Sequence, residues 1–111
     1  MKKFLVVYRM DMEAMKKMME TSTPEDRQKG MDEWKVWMQT NAGHFADMGA
    51  PAGKNTHITA QGATAMSNDI AGYSVLQAES MEAATAILLT NPHFKMPGAT
   101  VDLMEITPMG M

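Results

Sequence analysis

The sequence predicts an α+β fold, a βαββαβ sandwich in one domain spanning residues 1–111, and three observations lead there. Two segments carry helix caps and apolar residues at spacings of three and four, and four segments read as strands. Those segments alternate in the order β-α-β-β-α-β. Three of the four strands are apolar on both faces, although two helices on one side of a four-stranded antiparallel sheet can cover only one face. The uncovered face therefore predicts a second copy of the chain paired through the sheet. The length fits one domain, because domains cluster near ~100–150 residues.

The first strand is read over Phe4 to Arg9, with Phe4, Val6 and Tyr8 on one face and Leu5 and Val7 on the other. Asp11 to Glu20 is rich in Met, with Met12, Met15 and Met19 at helical spacing, and reads as a short helix or a flap over a cleft. Thr21 to Asp26 is a strong helix start. Thr23 can cap, Pro24 suits the first turn, and Glu25 and Asp26 face the positive end of the dipole. This helix is expected to run to about Met48, burying Met31, Trp34, Met38, Ala42 and Phe45, and to stop at Gly49 with Pro51 behind it.

Asn55 to Gln61 alternates in the manner of a half-exposed edge strand, followed by a loop over Gly62 to Asp69. Ile70 to Ala78 is a strand with Tyr73 and Val75 on one face and Ser74, Leu76 and Ala78 on the other. Ser80 caps a second helix that turns Ala84, Ile87 and Leu88 inward, and Asn91-Pro92 ends it. The last strand is read over Thr100 to Thr107, with Val101 and Leu103 followed by Met104 and Ile106.

Composition narrows the function classes. The net charge is -3 with only two Arg, Arg9 and Arg27, which argues against nucleic acid as a partner. With no Cys, disulfides, thiolate zinc sites and thiol nucleophiles are excluded. The N-terminal apolar run is too short for a secretory leader and no run approaches a membrane span, so a cytoplasmic protein without membrane contact is expected. Met is the oddity, at 15 of 111 residues. Its flexible thioether chain can fill a core in place of Leu, or form an adaptable binding surface.

The pieces Lys3-Phe4-Leu5-Val6-Val7-Tyr8, Phe45-Ala46-Asp47-Met48-Gly49-Ala50-Pro51 and Ile70 to Ser80 stand in a characteristic order. The helix opening Met81-Glu82-Ala83-Ala84, then Asn91-Pro92-His93, and a last strand reaching Pro108 complete it. In this order the chain resembles the YCII-related family. The resemblance implies a ferredoxin-like fold that pairs as a dimeric α/β barrel. It implies a function in a group where occasional members resemble small-molecule lyases or isomerases. Two departures stand out. The Asp-Gly-Pro-Phe signature of one branch is replaced by Ala65-Met66-Ser67-Asn68-Asp69. The His that another branch carries early in the first helix falls here near Glu33 or Trp34, so no family base carries over.

Among the residues themselves, His93 is the leading candidate for acid–base catalysis, on a loop just past a helix end. It is otherwise a cap on open carbonyls. His44 and Asp47, three apart on the expected long helix, form a second candidate catalytic pair, or a surface pair. Arg9 is expected either to pair with Asp102 or Glu105 or to bind an anion at the sheet rim. Trp34 and Trp37 read as core and interface, or as stacking platforms for a ligand ring, and Tyr73 as a pocket residue beside them. The three His lack metal-ligand spacing, so no metal and no cofactor is expected. Gly49 to Lys54 lacks the spacing of a phosphate loop.

Two functions fit: a small-molecule-binding dimer with lyase or isomerase chemistry on a small organic acid or ring, or a non-catalytic interaction protein. A deep cleft between the long helix and the sheet, lined by His93, a Trp and Tyr73 or Arg9, favours the first. A filled cleft favours the second.

Overall fold

The computed structural model describes residues 1–109. Strand β1 (Lys2–Arg9) is followed by helix α1 (Met12–Thr21), helix α2 (Pro24–Thr40), strand β2 (Phe45–Pro51) and a small hairpin, β3 (Thr56–Thr59) with β4 (Gly62–Ala65). Strand β5 (Ile70–Ala78), helix α3 (Met81–Leu88), a 3-10 turn over Pro92–Lys95 and strand β6 (Thr100–Glu105) complete it. The main sheet runs β2-β5-β1-β6 with every neighbour antiparallel, which is the ferredoxin-like order.

Residues alternate across this sheet as the sequence requires. In β1, Phe4 and Val6 are fully buried and Tyr8 nearly so, and their partners Leu76, Ser74 and Gly72 in β5 share that face. Trp37 of α2, Phe45 of β2, and Ala84 and Leu88 of α3 close the core over it. The opposite face carries Leu5, Val7 and Val75, partly buried, with Tyr73 and Met104 exposed. The Cα envelope is 50 × 44 × 18 Å, and its thin dimension fits one helix layer on one sheet.

The helix starts are those the sequence marks. Thr23 and Asp26 form a reciprocal capping box, and Ser80 caps α3 through the Ala83 amide. The N–H bond from the Thr23 backbone holds the Asp26 carboxyl below the usual carboxylate range. Asp11 caps α1 by accepting from the Glu13 and Ala14 amides, and α1 buries no residue.

Three expectations are corrected. First, α2 ends at Thr40 instead of near Met48. Asn41 turns its side-chain amide back onto the Trp37 carbonyl, and a 3-10 turn over Ala42–His44 leads directly into β2. Second, the second strand of the sheet is therefore Phe45–Pro51. The segment around Asn55–Gln61 instead forms one arm of a separate exposed hairpin, whose other arm occupies part of the expected loop. Pairing with β5 overrides the helical spacing of Ala42 and Phe45, as tertiary contacts commonly override local propensity. Third, the inward stripe of α2 is Trp34, Trp37 and Met38, while Met31 is 67% exposed.

Gly49 belongs to this correction. It lies inside β2 at φ +73°, at an irregularity in the pairing with β5. A Cβ there would stand 1.7 Å from the Tyr73 carbonyl oxygen. Its glycine serves a strand bulge and close backbone approach, not a helix stop.

Candidate functional site

A cavity of about 390 Å³ opens between α2 and the core face of the sheet. Its size lies at the lower end of the range for small-ligand sites. Tyr8, Gly72 and Ser74 form the floor, because strand alternation and register put all three on the core face. Gly72 brings no side chain to that surface, which leaves the space beside Tyr8 open. Trp34 and Met38 of α2 form one wall, and Met48 with the β2 bulge another. Met10, His93 and Met96 border it from the ends of β1 and the 3-10 turn.

The polar groups are few and ordered. The Tyr8 hydroxyl and Ser74 Oγ are 3.0 Å apart in a buried hydrogen bond. Burial pushes the Tyr8 phenol above its ordinary value, against the opposing pull of the Ser74 bond, so the phenol stays neutral. His93 is 2% exposed. Its Nε2 lies 2.9 Å from the Arg9 carbonyl oxygen and 3.0 Å from that of Thr100. Carbonyls only accept, so Nε2 must carry the proton and Nδ1 holds the lone pair of the neutral ring. Among the described residues Nδ1 has no hydrogen-bond partner.

The turn that carries His93 is set by Asn91, whose Oδ1 accepts the His93 amide at 2.8 Å. That bond fixes the Asn91 amide, whose buried Nδ2 has no partner within hydrogen-bond geometry among the described residues. Tyr8 also meets Trp34 and His93 edge to face, with ring centroids 5.5 and 5.4 Å apart. These contacts hold the histidine ring against the floor of the cavity.

Of the residues singled out from sequence, the structure brings His93, Trp34 and Tyr73 to this cavity. Tyr73 borders it from β5, where its side chain alternates to the face opposite Ser74. Trp37 does not reach it; it lies in the core and donates Nε1–H to Thr90 Oγ1 at 2.8 Å. Arg9 stands on the opposite face of β1. Asp69 holds its guanidinium through two nitrogens, and Asp102 accepts a further bond at 2.7 Å. These bonds push the Arg9 pKa up and the Asp69 carboxyl below its usual range. The expected pairing with Asp102 is present, Asp69 is an unforeseen second partner, and Glu105 instead lies 3.6 Å from Lys2.

His44 and Asp47 do not lie on one helix. His44 ends the 3-10 turn and Asp47 sits in β2, where its carboxylate accepts the Gly49 amide at 2.8 Å. Both are exposed and neither lines the cavity. Sequence reasoning missed Tyr8 and Ser74 as site residues. The only signal was a lone Ser on the buried face of an apolar strand; the register sets it opposite Val6 and diagonal to Tyr8. Among the described residues no three His, Asp or Glu side chains cluster to hold a metal ion.

Comparison with known proteins places the fold. No family model matches the chain, and no curated protein does. A solved structure of 5-chloro-2-hydroxyhydroquinone dehydrochlorinase (TftG) from Burkholderia phenoliruptrix AC1100, in complex with 2,5-dihydroxybenzoquinone, matches with a TM-score of 0.53. The match is 12% identical and covers 90% of each chain. At that identity the likeness is one of fold. It agrees with the four-stranded antiparallel sheet and one-sided helices of the ferredoxin-like, dimeric α/β barrel class. Among the described residues no helix is long and apolar enough to cross a membrane.

Proposed function

We propose that the protein is a cytoplasmic homodimer of the YCII-related type that binds a small organic acid or ring in the cavity under α2. There His93 moves a proton in a lyase or isomerase reaction. The observation that carries this reading is the histidine itself. Two backbone carbonyls hold Nε2–H, and the ring borders a cavity of about 390 Å³ with Nδ1 as its basic nitrogen. A general base needs that combination of a fixed tautomer and reach to substrate. The solved structure of similar fold holds a hydroxylated quinone, which supports a small ring as the ligand class. The cavity is open, where an interaction protein would be expected to fill it.

The second copy would lie against Leu5, Val7, Val75, Tyr73 and Met104, the apolar centre of the open sheet face.

The test is solvent-deuterium incorporation, followed by NMR, into a panel of lactones, cyclic ketones and hydroxy acids. His93→Gln retains an N–H donor for the Arg9 and Thr100 carbonyls but has no titrating nitrogen. It should lower exchange by ~100-fold or more with its circular dichroism unchanged. A folded variant that exchanges at the parent rate removes His93 from the mechanism. A parent inert to the whole panel favours the interaction protein.

A further inference from the structure

We infer that the cavity selects an uncharged ring bearing an oxygen acceptor and a hydroxyl, of the phenol-ketone kind, and discriminates against carboxylates. This inference rests on the cavity being a ligand site and narrows that reading from acid or ring to ring.

The first argument is charge. No Lys, Arg, Asp or Glu lines the cavity. Arg9 stands in the chain between Tyr8 and Met10, which both border it, and Lys95, beside Met96, is paired with Glu33 at 2.7 Å. The Arg9 guanidinium is turned to the other face and paired there with Asp69 and Asp102. A carboxylate entering a Trp- and Met-lined space would lose its water and meet no fixed positive charge of a Lys or Arg.

The second argument is hydrogen-bond accounting. The Tyr8–Ser74 pair holds two hydroxyl hydrogens, and their mutual bond uses one. Whichever oxygen donates within the pair, the other O–H remains for a ligand. His93 contributes one acceptor, Nδ1, because its Nε2–H is committed to the two carbonyls. The polar demand on a ligand is therefore one acceptor oxygen and one hydroxyl. The rest of the wall, Trp34 and the thioethers of Met10, Met38, Met48 and Met96, suits the face and edge of a flat ring.

Three probes of one size test this: 4-hydroxyacetophenone, 4-hydroxybenzamide and 4-hydroxybenzoate. Each is titrated into the full chain at neutral pH, with the Trp34 indole resonance as reporter of the site. Both uncharged probes should bind at least ~10-fold more tightly than the carboxylate, the ratio that loss of one hydrogen bond to a charged group produces. Tyr8→Phe and Ser74→Ala are combined so that neither hydroxyl remains. The double variant, which swaps both partners for apolar groups of similar shape and should stay folded, should weaken the acetophenone by ~10-fold while leaving toluene binding unchanged. Carboxylate binding as tight as the amide, or a double variant indistinguishable from the parent, overturns the inference while the ligand site stands. If none of the probes, toluene included, moves the Trp34 resonance, the ligand-site reading itself falls.

Discussion

The Arg9 carbonyl accepts a hydrogen bond from His93 Nε2 at 2.9 Å, while the Arg9 side chain on the other face of β1 is held by Asp69 and Asp102. One residue thus anchors the cavity histidine through its main chain and keeps its own charge out of the cavity through its side chain. Both follow from one strand, since carbonyls lie in the sheet plane and side chains alternate across it.

The His93 anchor has a spectroscopic signature. The neutral ring should be protonated at Nε2, read from long-range proton–nitrogen correlations, and the Nδ1-protonated form would contradict the carbonyl pair. Replacing His93 by Phe removes the donor from two half-buried carbonyls and should cost ~1 kcal/mol in urea unfolding. His93→Gln should lose less.

Gly49→Ala should be among the most damaging single substitutions in the chain. The new Cβ meets the Tyr73 carbonyl oxygen at 1.7 Å, and the residue must keep a positive φ of 73° or break the bulge. A loss above ~2 kcal/mol is expected, in the range of strained-backbone substitutions. A melting curve like that of the parent would show that β2 relaxes without loss.

Asp69 makes part of the stability acid-sensitive. Its folded carboxyl titrates below the ordinary ~3.9 because Arg9 favours the charged form. The contribution is present above the unfolded value and is lost as pH falls through the lower folded value. Asp69→Asn should therefore flatten the fall in stability between about pH 5 and pH 2. Parallel profiles for parent and variant would mean that the pair is screened to insignificance.

Light scattering at micromolar concentration should give twice the 12.2 kDa of one chain. Val75→Lys, at the centre of the open sheet face, should shift the protein toward monomer. A parent mass near 12.2 kDa would leave that face exposed to water and end the dimer reading.

Amide exchange should separate α1 from the sheet. No residue of α1 is buried, whereas β1 and β5 pair on both sides in the centre of the sheet. Its amides should exchange well before theirs, as weakly packed elements open locally. Equal protection would make α1 a fixed part of the fold and not a flap over the cavity.

The α+β class, the capping box of α2, the Ser80 cap and the faces of β1 and β5 were legible in the sequence. Each is set by local chemistry: alternation of apolar residues, a hydroxyl beside free amides, Asn-Pro after a helix. The end of α2 was not legible. Ala42 and Phe45 continue a helical spacing, and only pairing with β5, which lies some twenty to thirty residues further along, draws Phe45–Pro51 into the sheet. The site divides the same way. His93 could be singled out by its place after a helix end. Its tautomer, its carbonyl partners and the Tyr8–Ser74 pair could not, because they join groups 84, 7 and 66 residues apart. His44 and Asp47 were paired by helical spacing that the chain does not adopt there. Spacing along a chain places neighbours only while one regular element lasts. Beyond it, strand order and register decide which side chains meet, and here they placed a histidine, a tyrosine and a serine around one apolar cavity.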